Sequence, residues 1–171
     1  VFLNQNNEEV TPSYGHITDP TSTLINVSKG SGNQTNASGQ TYISYCWCEV
    51  PGFSKFGKYT GNGSSDGVYV HLGFRPAWLL VKNASSAKDW IMMDSTRSTE
   101  NVINDYFLAN SSSSEGTSSS TIQVDFLSNG FKWRGSSSGN DYINENGSSF
   151  VYMAFAEQPG TTPFDTLTNA R

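Results

Sequence analysis

Clustered positive charge is the first thing this sequence lacks. Ten Lys and Arg stand against fifteen Asp and Glu, the formal net charge is −5, and no basic run occurs. A nucleic-acid groove neutralises phosphates with grouped cations, so a nucleic-acid partner is not expected. Long apolar runs are missing too. Nothing approaches the roughly 20 apolar residues of a membrane-spanning helix, so no membrane insertion is expected. Val1-Phe2-Leu3-Asn4 has no initiator Met and no basic stretch ahead of an apolar core. It does not read as a signal peptide, and the chain is expected to be a fragment or a processed product.

Cysteine is scarce. Cys46 and Cys48 are the only two, separated by Trp47. On a strand they would share a face with alpha carbons about 6.5–7 Å apart, from the rise per residue. That distance is at the far edge of disulfide geometry. No CxxC and no His cluster adds further ligands, so neither a metal nor a cofactor is expected, and the pair reads as small buried residues. Ala, Leu, Glu and Lys are also few, which disfavours long helices. Ser, Asn, Thr and Gly take their place. Disorder is not the alternative, because 13% aromatic residues can bury a core. Small polar residues with scattered aromatics fit an all-β protein rich in turns.

What is present is an internal repeat. Residues 36–52 read NASGQTYISYCWCEVPG and residues 144–160 read NENGSSFVYMAFAEQPG. The alignment needs no gap, and from Asn36 to Asn144 is 108 positions. Gly39 matches Gly147, Glu49 matches Glu157, and Pro51-Gly52 matches Pro159-Gly160. Tyr42, Ser44, Cys46 and Cys48 would share one strand face, as would Phe150, Tyr152, Ala154 and Ala156. Ile43, Tyr45 and Trp47 correspond to Val151, Met153 and Phe155 on the other face. Both faces being apolar predicts a central strand buried on two sides in each copy. Weaker echoes join Phe2-Leu3-Asn4 to Phe107-Leu108-Ala109, and Thr23-Leu24-Ile25 to Ser120-Thr121-Ile122. The expected organisation is therefore the C-terminal half of one repeat over 1–52, a complete unit over 53–160 and a peripheral tail over 161–171. The first half-unit would have to borrow strand edges from its neighbour or another chain, or stay partly unpaired.

Within the complete unit, alternation and turn residues predict strands over 54–59, 68–72, 78–82, 90–93, 122–127, 131–134 and 150–157. Residues 60–67 and 111–120 read as loops, and 95–104 as irregular with room for one helical turn. Asn129-Gly130 is a hairpin turn signal. Short strands separated by Gly/Asn turns predict an antiparallel β-sandwich, jelly-roll-like, built from a repeated unit of about 108 residues.

Catalytic constellations are thin. No GxSxG elbow and no phosphate loop occurs, and Gly61-Asn62-Gly63 reads as a turn because no helix start with a Lys follows. His16 and His71 are isolated, and His71 reads as a packing or surface residue. Asp66, Asp89, Asp94, Glu115, Asp125 and Asp141 could in principle supply a glycosidase pair. Most of them sit in turns or beside Ser and Asn, where Asp bends backbone. Glu49 and Glu157 recur in both copies, as scaffold residues do. Asp94 and Arg97 read as a structural ion pair. Tyr69, Trp90, Trp133 and Tyr142 are the aromatics that could stack on a sugar ring, with Trp90, Trp133 and Tyr142 the glycan-binding candidates. Asn-x-Ser/Thr triplets such as Asn26-Val27-Ser28 and Asn62-Gly63-Ser64 are expected by chance in so Asn- and Ser-rich a chain.

Residues 42–76, YISYCWCEVPGFSKFGKYTGNGSSDGVYVHLGFRP, followed by AWLLVK, DWIMMDSTR, LSNGFKWR and SSFVYMAFAEQP, closely resemble a repeat in large tail-fibre and virion structural proteins of marine tailed phages. Thr168-Asn169-Ala170-Arg171 is similar to that family's C-terminal ending. The resemblance runs from about Thr21 onward, and Cys48 departs from it where the family tends to have Ala. It implies a β-rich module of a multi-domain virion protein without an assigned catalytic residue. The expected function is therefore non-catalytic: a structural or adhesive module of a phage fibre or appendage, on the virion surface or otherwise extracellular. Its expected partners are copies of itself in a fibre-forming homo-oligomer, and a host-surface glycan or protein. Glycan binding is the alternative, followed by capsid decoration and polysaccharide hydrolysis.

Overall fold

The computed structural model describes residues 3–9, 17–18, 21–28, 36–135 and 140–157. The predicted tail 161–171, His16 and the Pro159-Gly160 half of the repeat match lie outside them. The chain divides into two compact units, one comprising 1–9 with 48–171 and the other 10–47.

In the smaller unit β1 (Ile17–Thr18) pairs antiparallel with β2 (Asn26–Val27). Thr21 Oγ1 accepts from the amides of Thr23 and Leu24, tightening the link between these strands. Asn36, at φ 52°, donates from its amide to Val27 O at 2.9 Å. A turn follows in which Gln40 N donates to Ala37 O, with Gly39 at φ 74°. Residues 41–47 then form no strand, and Ile43 and Tyr45 are among the most exposed apolar side chains, at 79% and 75%.

The larger unit is built on two antiparallel sheets. Its strands are β3 (Ser54–Thr60), β4 (Tyr69–His71), β5 (Pro76–Asn83), β6 (Ile91–Asp94), β7 (Asp105–Leu108), β8 (Gly116–Thr117), β9 (Val124–Leu127), β10 (Gly130–Trp133) and β11 (Ser149–Ala156). One sheet runs β3-β11-β5-β6-β7-β8 and the other β4-β10-β9. Period-two alternation sends Tyr59, Phe150, Tyr152, Ala154, Leu79, Val81, Ile91 and Met93 inward from the six-stranded sheet. They meet Val70, Val124, Phe126, Phe131 and Trp133 from the three-stranded one. Tyr59 is the hub. It stacks on Phe150 with centroids 5.0 Å apart and meets Phe131 and Trp133 at 6.2 Å each. Its hydroxyl donates to Ile143 O at 2.5 Å. Burial drives its phenol well above the ordinary range, the neighbouring Trp133 pulling the other way, so the ring stays neutral in the core. The reciprocal backbone bonds between Ile103 and Val124 join the edge near β7 to β9.

Three expectations change here. Residues 42–48 are not a buried central strand: Cys46 and Cys48 are free and exposed, because no ladder forms on either side of them. The matching stretch, β11, is central, between β3 and β5, but only its inner face is fully buried. Val151, Met153 and Phe155 are half-buried, with Phe155 against Phe53, Phe56 and Trp78. The β9–β10 hairpin turns on Ser128-Asn129, with Leu127 opposite Gly130, so Gly130 belongs to the strand. Its role is close approach: a Cβ there would lie 2.1 Å from Val70 O, where β4 crosses.

Candidate functional site

Polar chemistry in the larger unit collects in four places. The first is a plug under the β3–β4 loop. Asn144 is fully buried, and its amide donates to Asn62 Oδ1 at 2.8 Å and Ser64 O at 2.9 Å while Asn62 N returns a bond to its Oδ1. Gly61-Asn62-Gly63 is the turn the sequence indicated, seated on Asn144, and a Cβ on Gly61 would strike Glu145 O at 2.2 Å. Beside it, buried Asn83 donates to Asp141 O at 2.6 Å and Glu145 Oε2 at 3.2 Å. Glu145 also accepts from Ser148 Oγ and Ser86 Oγ, and these bonds, Ser148 first, hold its carboxyl below the usual range. Lys88 pairs with Asp141, which holds its ammonium above the ordinary value, and sits 5.2 Å over the Tyr142 ring.

Lys82 lies beneath this network, fully buried, and among the described residues no carboxylate comes within salt-bridge range of it. Its ammonium donates to Asn83 O and Ser86 O. Burial pushes its pKa down, against the raising influence of Asp89 and Glu8.

The second place is the outer face near β6 and β7. Arg97 pairs with Asp94, approaches Glu115 at 3.4 Å and lies 4.0 Å over the Phe107 ring. Burial raises the Asp94 pKa, but the amide and guanidinium of Arg97 and the amide of Thr96 outweigh it, leaving Asp94 below its usual range. Asp105 is lowered as well, by the hydroxyls of Thr117 and Ser98. In the third, Asp66 meets Lys132 at 2.6 Å and Asp125 meets Arg134 Nε at 2.5 Å. The Lys132 contact lowers Asp66.

The fourth is a cleft of about 260 Å³ where β5 begins and β11 ends, lined by Gly52, Phe74, Arg75, Pro76, Ala77, Ser95, Ala156 and Glu157. Arg75 is fixed there by donating to Phe126 O at 2.8 Å. This cleft sets a cation and a carboxylate against apolar walls, an arrangement able to hold a small polar group. No local pattern announces it, because its lining comes from four separate stretches of chain.

The aromatic candidates fare differently. Trp133 is fully buried and Trp90 is 7% exposed, so neither offers a ring face to a sugar, and both are corrected to core residues. On β10 the Trp133 indole falls on the core side, whereas Trp90 lies just ahead of β6, where Ile91 and Met93 are the residues in step with the core cluster. Tyr142 is half-buried under Lys88. Tyr69 is 43% exposed, with its hydroxyl 3.1 Å from His71 Nδ1. Among the described residues no three His, Cys, Asp or Glu side chains gather as metal ligands, and no helix is long and apolar enough to cross a membrane.

A family model described as a domain of unknown function, DUF7483, matches residues 1–159. The chain belongs to the DUF7483 family. The DUF7483 match is one continuous stretch, so it takes in the 10–47 unit as well as the two-sheet unit. No curated protein and no solved structure matches the chain.

Proposed function

We propose that this chain is a non-catalytic architectural module of a phage fibre or similar virion appendage, acting outside the cell and assembling with copies of itself. Its design is a jelly-roll-like β-sandwich on a repeated unit of about 108 residues, the separation of Asn36 and Asn144. The observation that carries this reading is a turn built twice. Gln40 N donates to Ala37 O and Ser148 N to Glu145 O, each pair 108 positions from its counterpart, and Gly39 and Gly147 share φ values of 74° and 78°. A Cβ on either glycine would meet nothing within 4 Å, so glycine serves the backbone conformation itself, the left-handed third position of a type II turn. A device repeated with its geometry belongs to a scaffold. The carboxylates point the same way, since Asp66, Asp94, Asp105 and Glu145 are all held in their ionised form by donors beside them.

Sedimentation velocity on the full chain tests this reading. A discrete oligomer or a growing filament is expected. A monomer up to high concentration would count against an architectural role. Glycan binding is the second reading, favoured by the exposed ring of Tyr69 beside His71. It would leave the chain monomeric, with binding that Tyr69→Ala abolishes.

A further inference from the structure

β5 and β11 fall out of step at one place. Phe155 faces Trp78, the next residue Ala156 faces Pro76, and Ala77 is left over between them as a bulge. Pro76 has no N–H to give to a ladder, which suits it to such a strand start. The backbone here turns to other neighbours. Ala77 O accepts from Ser95 N at 2.9 Å, and Ala156 N donates to Phe53 O at 2.7 Å. A bulge bends its strand and re-aims side chains, and this one stands on the wall of the 260 Å³ cleft.

The two charged side chains of the cleft are not spent on each other. Arg97 and Arg134 each hold two carboxylates within ion-pair range. Among the described residues Arg75 holds none, and Glu157 meets no cation. Arg75 is nevertheless fixed, because one end of its fork donates to Phe126 O at 2.8 Å. A planar guanidinium aimed in advance is the matched partner of a carboxylate. Glu157, on the other wall, can only accept, so it calls for a ligand that brings hydroxyl or N–H donors.

We infer that this cleft binds a carboxylated sugar, a uronic acid residue of an acidic glycan. Arg75 takes the carboxylate, Glu157 and Ser95 take ring hydroxyls, and Pro76, Ala77 and Ala156 meet the C–H face of the ring. The assignment deepens the glycan-binding reading and rests on it for the choice of a sugar, but moves the contact away from Tyr69, which lines no part of the cleft. Its size suits one ring, being just under the roughly 300 Å³ at which clefts begin to take drug-sized ligands. A bare anion would satisfy Arg75 and offer nothing to Glu157. Room for a ring, with the Ser95 hydroxyl as a third polar group, favours a sugar over a free amino acid.

The test is a titration of the full-length ¹⁵N-labelled chain with sodium D-glucuronate, D-glucose and L-alanine, read by amide shifts. Glucuronate is expected to move the Ala77, Ser95 and Ala156 amides saturably, with glucose about tenfold or more weaker, since the two differ at the carboxylate. Arg75→Gln should weaken glucuronate by about tenfold or more, and Tyr69→Ala should leave it unchanged. Arg75→Gln does not orphan Phe126 O, which also accepts from Asn101 Nδ2 at 3.1 Å, so the fold is expected to survive and the remaining amide shifts check that it does. Glucose equal to glucuronate, shifts with alanine in place of glucuronate, or indifference to Arg75→Gln would overturn the cleft assignment. Binding kept in Arg75→Gln and lost in Tyr69→Ala would overturn it while leaving the glycan reading standing at Tyr69. No shift with either sugar would overturn both and leave the architectural reading alone.

Discussion

Asn144 shows how one buried amide can hold a loop that has little apolar content of its own. It donates to Asn62 Oδ1 and Ser64 O and accepts from Asn62 N, so truncation removes three hydrogen bonds at once and empties the buried space the amide fills. Asn144→Ala is expected to cost about 2–3 kcal/mol in urea unfolding, and Asn62→Ala less, since Asn144 Oδ1 keeps the Asn62 amide. Equal losses would show that the loop, and not the buried amide, sets the energy. The sequence marked Asn144 only as the head of a repeat, because burial of an Asn is invisible until its partners, some 80 positions away, are folded against it. The same limit applied to the indoles. Alternation placed Trp133 on a strand, but which face is inward depends on register against β4 and β9. Asp94 with Arg97 was legible because both partners lie within one turn of chain.

Element by element, two of the near-continuous apolar stretches were easy to place, whereas 42–48 and the short strands were not. β5 and β11 were recognisable from near-continuous apolar residues, and both proved central. β7 escaped notice since Asp105–Leu108 has only four residues and no clean alternation, and β8 is two residues inside a serine-rich stretch. The Asn-Gly pair marked the right hairpin and the wrong turn centre. What fixes Gly130 is β4 passing across it, a tertiary demand that local turn statistics do not contain. Gly130→Ala is accordingly expected to cost about 3 kcal/mol, as a backbone clash that cannot relax does. Hydrogen exchange should show its effect at the Leu72 and Gly73 amides, which donate to Asn129 O, ahead of β5 and β11. Uniform loss of protection would mean that the two sheets unfold as one.

At the scale of the whole molecule, the carboxylates set the response to acid. Asp94, Asp105 and Glu145 are all held below their ordinary values, so the unfolded chain takes up protons before the folded one does. The stability they contribute is complete above roughly pH 5 and is lost as pH falls from about 4 through the lower folded values. A melting temperature steady from neutral to mildly acidic pH and dropping below about pH 4 is expected, with a shallower drop in Arg97→Met. A parallel drop in that variant would remove Arg97 from the account. Asp66 contributes little, being 80% exposed to screening solvent. The order of the strands has a temporal consequence as well. β11, which sits between β3 and β5 in the larger sheet, is the last strand described along the chain, so β3 and β5 leave the ribosome with facing edges open. Closing that gap is a long-range step and intrinsically slow. The stretch 43–48, emerging 108 positions earlier with the same alternation, is a rival for the vacancy during synthesis. A repeat that writes one strand pattern twice thus also writes in a route to misfolding.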